Sequence, residues 1–533
     1  MAIMLSLRSV FSLVCAVACS ATLPARGQIP LGSPQLNELR TTRAYEAAVR
    51  QGPPTLRAFL TNFPKGADLH VHLSGAVYAE TFIREAGRDG LCVNTVTLSF
   101  ARPPCAGKLV PAQELSGNMS TAGQELYDKL IDSFSMRDFV PTPDWSAHDQ
   151  FFATFARFGG LTDHYAEWID EVARRAAAQN QQYLELMVTP PFSHAAQAAY
   201  ALGWNAELEK ADPHAFARLR QELLGRGLRQ EVAVDRAEVR AAETGRQRME
   251  HCGTPQAASA CQVEIRFLYQ ILRGYPPQQV FAQMLLGFET AEASIDAHEP
   301  GFVGINLVMP EDGYISMRDY TLQMKMVGYL HELYPKVHIA LHAGELAEGM
   351  VPPEGLRFHI RQAVKIAHAE RVGHGVDVMD ETNAEGLLRE MAEGHVMVEI
   401  NLTSNKDILG ISGVEHPFPI YWAAHVPVAL STDDEGVSRI DLTHEYEMAV
   451  LEYHLSYADL KELARTSMEH TFLPGESLWA KPDQFGTAAT ACRSQVLGGD
   501  QPSASCKGFL GGSEKAAAQW ELERRFRDFE AQF

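Results

Sequence analysis

The sequence predicts an α/β protein whose main body is a closed (β/α)8 barrel with insertions. Eight short apolar runs, rich in β-branched residues, recur between residues 67 and 431, and helical patterns lie between them. Alternation of this kind is typical of βα units around a parallel sheet. An open doubly wound sheet is the alternative, but no glycine-rich phosphate loop follows the first run, which disfavours it.

The predicted elements follow in chain order. The strands are 67–73, 182–188, 263–272, 302–308, 337–342, 371–376, 396–402 and 426–431, and the helices include 162–179, 277–295, 318–333, 356–368 and 385–394. The uneven spacing marks insertions at about 83–145 and 192–261. We therefore predict a signal peptide at 1–27, a barrel domain at 28–477, and a C-terminal extension at 478–533 that ends in a charged helix.

Composition excludes several classes of function. The 533-residue chain has 46 Lys and Arg residues against 67 Asp and Glu residues, which gives a formal net charge of −21. This acidic balance repels phosphate backbones and anionic lipid head groups, so no nucleic-acid polymer is expected as a partner. With 46% hydrophobic and 21% charged residues the chain is globular rather than disordered. The oligomeric state stays open.

The first residues are typical of a secretory leader. Arg8 is the only charge before an apolar run from Val10 to Ala18, and small residues follow. A run of this length is too short to span a bilayer, which takes about 20 residues, so no transmembrane anchor is expected. We predict a secreted or periplasmic protein. A buried N-terminal helix is one alternative, and Cys19 is a candidate lipid-anchor site.

The cysteines agree with export. Two of the eight lie in the leader, and the other six fall in close pairs: Cys92 with Cys105, Cys252 with Cys261, and Cys492 with Cys506. Six cysteines allow 15 pairings, but short loop closure favours neighbours. The alternative is six unrelated buried thiols. None of the pairs has the Cys-x-x-Cys spacing of a zinc ribbon or redox motif.

Ionisable residues are concentrated where the predicted strands end, and this is the end of a barrel that carries chemistry. His70 and His72 are two apart on one strand, so both imidazoles project from the same face. Together with His342 and Asp433 they offer three nitrogens and a carboxylate, the ligands of a catalytic Zn²⁺ site with one ion per chain. Any one of these histidines alone would more often be a core or surface residue.

Three further residues are candidates for proton transfer and substrate contact. Zn²⁺ lowers the pKa of bound water to about 7, and His374, beside glycines, is placed to take the proton and hold the hydroxide. Glu345 follows the ligand His342 by three residues and suits proton donation. Asp434 neighbours a ligand and points differently, so we assign it a substrate hydrogen bond. The alternative for both acids is a solvated turn or helix N-cap.

Five ordered motifs resemble those of the adenosine deaminase family, over about residues 55–470. They are His70-Val71-His72-Leu73-Ser74-Gly75-Ala76, His342-Ala343-Gly344-Glu345, Arg371-Val372-Gly373-His374-Gly375, Asn401-Leu402-Thr403-Ser404-Asn405 with a later His416-Pro417, and Ser431-Thr432-Asp433-Asp434. The leader, the insertions and the paired cysteines are most similar to the secreted branch of that family, the adenosine deaminase growth factors.

The resemblance implies a zinc-dependent barrel of the amidohydrolase type with the four ligands already named. It also implies that Glu345 protonates purine N1, that His374 assists the hydroxide, and that Asp434 accepts from the N7 side. Two positions depart from the family pattern. Ser74 stands where the family usually has an Asp that contacts the ribose 5′-hydroxyl, and Met309 stands where a Gly backbone N–H approaches purine N3. Neutral drift with an unchanged substrate is the alternative at both.

We therefore expect zinc-dependent hydrolytic deamination of adenosine or deoxyadenosine to inosine and ammonia. The partner is a small-molecule purine nucleoside. Ser74 and Met309 motivate a second hypothesis, deamination of a modified adenosine or adenine-type purine. A non-catalytic nucleoside-binding or growth-factor-like protein is the alternative from another class, and the complete set of proton-transfer groups argues against it.

Overall fold

The computed structural model describes residues 34–115, 117, 119–161 and 164–533. The predicted signal peptide at 1–27 and Cys19 lie outside these residues. Among the helices in the described part of the chain, none is long and apolar enough to cross a membrane.

Eight parallel strands form the barrel and confirm the predicted fold class. They are β1 (Gly66–His72), β2 (Gln181–Val188), β3 (Glu264–Leu272), β4 (Phe302–Val308), β5 (His338–Ala343), β6 (Arg371–His374), β7 (Met397–Ile400) and β8 (Val428–Leu430). Each pairs with the next in chain order. A parallel bridge between Val71 and Asp433 joins the end of β8 to β1 and nearly closes the barrel.

Helices connect the strands and also form parts of the insertions, the pocket walls and the C-terminal region. They are Pro34–Gln51, Pro53–Asn62, Leu73–Ala76, Ala79–Arg88, Thr121–Ser133, Ala147–Phe158, Tyr165–Ala178, Ser193–Leu202, Ala206–Glu209, Pro213–Gly225, Leu228–Met249, Pro277–Asp296, Tyr314–Leu333, His359–Lys365, Ala384–Glu393, Leu402–Leu409, Phe418–Ala423, Glu435–Ser438, Leu442–Tyr453, Tyr457–Glu469, Ala504–Gly511 and Glu514–Glu530. Local sequence sets several starts: Ser146 and Asp149 form a capping box, and Pro277 occupies a first-turn position.

One predicted helix, 356–368, is shorter than expected. The chain forms a 3₁₀ turn at Gly355–Arg357, and the helix then runs over His359–Lys365. Phe358 between them has φ −153°, outside the helical range. The His359 ring is buried, stacks on Tyr320 and contacts Glu311, so a side-chain network interrupts the pattern that the sequence suggested.

The insertions carry the disulfides, and all three predicted pairs are confirmed. Cys92–Cys105 ties down a small antiparallel sheet of Cys92–Asn94, Ser99–Ala101 and Leu109–Pro111. Cys252–Cys261 follows the helix Leu228–Met249, which confirms the helical pattern expected in the second insertion. Cys492–Cys506 lies in the C-terminal region.

The last helix, Glu514–Glu530, packs against the barrel. Phe526 and Phe529 are buried and contact Phe63, with ring centroids 5.7 and 6.1 Å apart. Beside them the Lys461 ammonium lies 2.7 Å from a carboxylate oxygen of Glu530. The barrel core therefore continues into the predicted C-terminal extension, whose boundary at 477 stays a prediction.

Candidate active site

The four predicted metal ligands converge at the carboxyl ends of the strands. Nε2 of His342 lies 3.1 Å from Nε2 of His70 and 3.2 Å from Nε2 of His72. Oδ1 of Asp433 lies 3.3 and 3.1 Å from the same two imidazole nitrogens. All four side chains are buried. Strand β1 supplies two of them, β5 the third, and the segment after β8 the fourth.

These four of the six distances between the proposed ligand atoms are compatible with ligands of one metal ion. Ligand atoms about 2.0–2.1 Å from Zn²⁺ in tetrahedral geometry are about 3.3 Å apart. The measured separations of 3.1 to 3.3 Å match that edge. His374 stands slightly further off, with its Nε2 3.9 Å from the other oxygen of Asp433. It nevertheless shares a buried grouping with His70, His342 and Asp433, whose potential ligand atoms lie within 4.8 Å of one another.

Hydrogen bonds to the Nδ1 atoms of two proposed ligands show that their Nε2 atoms are available to bind a metal ion. Nδ1 of His70 lies 2.6 Å from a Glu399 carboxylate oxygen, and Nδ1 of His342 lies 2.8 Å from the Asn306 amide oxygen. Both partners are acceptors, so each Nδ1 donates, and in the neutral ring each Nε2 carries a lone pair. Two lone pairs 3.1 Å apart repel each other, and a cation between them removes the conflict.

The sequence analysis missed these supporting residues. Glu399, Asn306 and Gln270, whose side-chain amide lies against Nδ1 of His72, are buried polar residues inside apolar strands. A polar residue within such a strand needs a partner when it is buried, and that requirement was the available signal. Glu399 is also 2.7 Å from the buried Arg371, which fixes its orientation.

Glu345 is buried close to His374, with its carboxylate 3.6 Å from Nε2 of that ring. Burial raises the pKa of Glu345 well above its usual value, and the nearby Asp433 and Glu311 carboxylates raise it further. The fold therefore favours the protonated form of this side chain. Glu311 positions the turn, because its oxygens accept the backbone N–H groups of Gly344 and Glu345 at 3.1 and 2.8 Å.

A directed chain of hydrogen bonds orients His374. The backbone N–H of Phe418 donates to Nδ1 of His416 at 3.1 Å, so the proton of that neutral ring lies on Nε2. Nε2 of His416 donates to the Asn405 oxygen at 3.0 Å, and the Asn405 nitrogen donates to Nδ1 of His374 at 2.8 Å. A backbone N–H only donates, so the direction of the whole chain follows.

The proton of His374 consequently lies on Nε2, the nitrogen that faces Glu345 and Asp433. Burial lowers the pKa of His374 to about 3 and that of His416 to about 4, so both rings are neutral at physiological pH. His374 is presented as a hydrogen-bond donor to whatever occupies the space beside the ligands. The sequence indicated His374, and the fold adds Asn405 and His416 as the residues that orient it.

Asp434 directs its carboxyl into the same space. Its Oδ1 is buried and has no hydrogen-bond partner in the described part of the chain. Burial raises the pKa of Asp434 well above its usual value, and the neighbouring Asp433 raises it further. Gly75 makes room for it, since a Cβ at Gly75 would lie only 1.5 Å from Asp434 Oδ1.

Met309 and Ser74 both line the pocket. Met309 has φ 88°, a left-handed conformation that favours glycine and is strained for a side chain. Its side chain passes over Gly274, where a Cβ would lie 2.7 Å from the Met309 Cε atom. Ser74 is half-buried in the short helix Leu73–Ala76 that follows β1.

The pocket that these residues share has a volume of about 410 Å³. Small-molecule sites usually occupy about 300–1,000 Å³. Its walls include the predicted residues His72, His342, Glu345, Asp433 and Asp434, together with apolar side chains from the helix Ala147–Phe158. Seven of the nine predicted site residues therefore line one cavity of ligand size, and the other two, His70 and His374, are buried outside its lining.

Residues 237–480 match the sequence model of the family described as adenosine deaminase. This match includes β3 to β8 and the site residues on them. The chain is a hydrolytic deaminase, and the matched part, which is under half of the chain, is similar to the adenosine deaminase family. The remaining site residues of this deaminase, His70, His72 and Ser74, lie before the matched part and are placed beside it by the barrel.

Curated relatives carry the same description. The deaminase is 27% identical over 230 residues to the adenosine deaminase of Shewanella halifaxensis, over 40% of this chain and 69% of that protein. It is 32% identical over 139 residues to the adenosine deaminase of Clostridium perfringens, where the chain spans only 39% of the relative's length. The solved structure of the arabidopsis N6-mAMP deaminase MAPDA is 21% identical, with a TM-score of 0.49, over 78% of this chain and 96% of that one.

Proposed function

We propose that the enzyme deaminates adenosine or deoxyadenosine to inosine and ammonia with one Zn²⁺ per chain. The observation that carries the proposal is the convergence of four candidate ligands, with neighbouring ligand atoms 3.1 to 3.3 Å apart, beside the buried Glu345, whose pKa is raised. His70, His72, His342 and Asp433 would hold the ion. Bound there, Zn²⁺ acts as a Lewis acid and lowers the pKa of water, so that a nucleophile is available at neutral pH.

Side chains of the protein donate and accept the protons of the reaction. Glu345 gives its proton to purine N1 as oxygen adds to C6, so that the ring electrons move onto a protonated nitrogen. His374 donates its Nε2–H to the arriving oxygen and holds it in line with C6. Water supplies the oxygen of inosine: one of its protons restores Glu345, and the other passes from the new C6 hydroxyl to the amino group, which leaves as ammonia while N1 keeps its proton. The raised pKa of Glu345 is what makes that side chain an acid rather than a base.

Asp434 is proposed to bind the N7 side of the purine. Its unpartnered carboxyl has a raised pKa and so suits a ring nitrogen, because a carboxyl that keeps its proton donates a hydrogen bond. The sequence had suggested that it accepts from this side, and the direction now proposed is the reverse. The Met309 backbone N–H is the candidate donor to purine N3.

A second candidate substrate is a modified adenosine or an adenine-type purine. Two observations favour it: Ser74 is uncharged where a 5′-hydroxyl would meet an acid, and the Met309 side chain covers the pocket over Gly274. The loss of adenosine absorbance on conversion to inosine, measured with and without a chelator, tests the first proposal. A panel of adenosine, deoxyadenosine, adenine and N6-methyladenosine separates it from the second. Release of ammonia from none of these would refute both.

We also propose export through a signal peptide at 1–27 and membership of the growth-factor-type branch. The three disulfides support an oxidising compartment. Sequencing the N-terminus of the mature protein tests cleavage, and lipid analysis of the same sample tests an anchor at Cys19.

A further inference from the structure

A second cavity, which we call the side chamber, opens from the active-site pocket. It has a volume of about 860 Å³, roughly twice that of the pocket. The two cavities share the lining residues Ser74, Phe155, Thr189 and Gln270. A nucleoside whose ring fills the 410 Å³ pocket does not require this additional volume. The chamber therefore suits a substrate larger than adenosine.

The second insertion supplies one wall of the chamber. Phe192, Ser193 and Ala196 come from the start of the second insertion, and Glu238 comes from the helix Leu228–Met249 of the same insertion. A bare (β/α)8 barrel would lack these walls. The chamber thus combines residues at the ends of the barrel strands with residues of this chain's own insertion.

The chamber walls are apolar and lack positive charge. Aromatic and aliphatic side chains dominate, among them Phe82, Phe158, Trp168, Met187 and Tyr275. Within the described residues, neither cavity is lined by a Lys or Arg, and the acids Glu238, Glu345, Asp433 and Asp434 line the two between them. A phosphate group would meet carboxyl groups and no counter-ion, so nucleotides are disfavoured.

Ser74 marks which part of the substrate enters the chamber. The residues that hold or surround the metal, such as His342, Asp433 and Glu345, line the pocket but not the chamber. With C6 of the purine at the metal, the sugar points away from those residues. Ser74, proposed to face the 5′ position, lies where the pocket opens into the chamber. A substituent on the 5′ carbon therefore has a direct path into it.

We propose that the side chamber binds an uncharged, apolar substituent on the 5′ carbon of the nucleoside, so that the enzyme prefers 5′-substituted adenosines. This inference rests on the proposed deamination at C6 and specifies its substrate class. Each methylene that enters a fitted apolar pocket raises selectivity by about tenfold or more. The gain depends on contact with the chamber walls and is independent of the reaction at C6.

The test compares kcat/KM for adenosine, AMP and the 5′-methylthio, 5′-propylthio and 5′-benzylthio ethers of 5′-deoxyadenosine, with metal-loaded enzyme. We expect kcat/KM to rise by at least about tenfold along the thioether series and AMP to be the poorest substrate. A flat or falling series with active adenosine turnover overturns the chamber assignment alone. Inactivity toward every compound overturns the proposed function as well.

The variant Ala196→Phe tests whether the substituent occupies the side chamber. Ala196 lines the chamber but not the pocket, so a phenyl ring there occupies chamber volume. The ratio of kcat/KM for the benzylthio ether to that for adenosine should fall at least about tenfold. Ala201→Phe places the same ring on an exposed position of the same helix and should leave the ratio unchanged. Equal ratios in the two variants would contradict the proposal.

The variant Ser74→Asp independently tests whether residue 74 faces the 5′ position of the substrate. A charged acceptor at the junction should favour a 5′-hydroxyl over a thioether, since hydrogen bonds to charged groups are stronger than neutral ones. We expect the preference for adenosine over the methylthio ether to increase by about one to two decades in kcat/KM. An unchanged preference means that Ser74 does not face the 5′ position, and the path into the chamber is then wrongly assigned.

Discussion

Replacing Glu345 by Gln tests whether this buried side chain is the proton donor of the reaction. The carboxyl is buried, and His374 is the only ion-pair partner recorded for it among the described residues. Burial and the Asp433 and Glu311 carboxylates together hold its pKa well above the usual value, which favours the neutral acid. Gln keeps the shape and an N–H donor but has no proton to transfer.

We expect kcat to fall by about 10² to 10⁴, the usual contribution of general acid–base catalysis. This corresponds to about 2.7–5.5 kcal/mol of transition-state stabilisation. KM should change little, because the Gln amide still donates to purine N1. Zinc content should stay at about one equivalent, because Glu345 has no proposed ligand role. Glu345→Asp should give intermediate activity, because it keeps the acid but withdraws it by about one bond, 1.5 Å.

The assay is steady-state adenosine turnover with metal content measured on the same sample. Glu348→Gln is the matched control, since Glu348 is exposed three residues further along the chain and should behave as wild type. A kcat within tenfold of wild type for Glu345→Gln, at full metal occupancy, would refute the assignment. Loss of metal in that variant would instead place Glu345 among the ligands.

Three further predictions follow from the same contacts. His342→Ala should lose bound zinc and turnover together, and a metal assay that returns two equivalents for active wild-type enzyme would contradict a mononuclear site. Asn405→Leu should lower kcat at least about tenfold with metal retained, because His374 loses the donor that places its proton on Nε2; unchanged kcat would contradict that role. Asp235→Asn should raise Tm more at pH 8 than at pH 5. Burial raises the pKa of Asp235 to about 8, so between the ordinary pKa near 4 and this raised pKa the folded state loses about 1.4 kcal/mol of stability per pH unit, which Asn avoids. Equal gains in Tm at both pH values would contradict this.

Strand order was predictable because each strand is an apolar run with a polar end. All eight predicted strands exist, but the later ones are shorter than their patterns: β7 ends at Ile400, and a helix begins at Leu402 within the predicted strand 396–402. Hydropathy does not distinguish a buried strand residue from a buried first-turn residue. Pairing with the neighbouring strand decides the end, and that information is not local.

The convergence of the four proposed ligands was also predictable, whereas the groups that hydrogen-bond to them depend on long-range contacts. His70 and Glu399 are separated by 329 residues, and the Asn405 bond to His374 spans 31 residues. Only closure of the barrel brings them together. The side chamber was beyond prediction for the same reason, because its walls come from at least five separate segments of the chain.

The proposed metal site and the side chamber proposed to select the substrate are held in place by different parts of the molecule. The ligand His70 is held by Glu399, which pairs with the buried Arg371, and Arg371 pairs in turn with Glu185 at 2.7 Å. This network joins β1, β7, β6 and β2 inside the barrel, so the insertions take no part in it. The chamber, by contrast, depends on the helices of the second insertion. Sequence change in that insertion can therefore alter the preferred 5′ substituent while the metal ligands keep their spacing, and for this reason the ligand motifs alone do not identify the substrate.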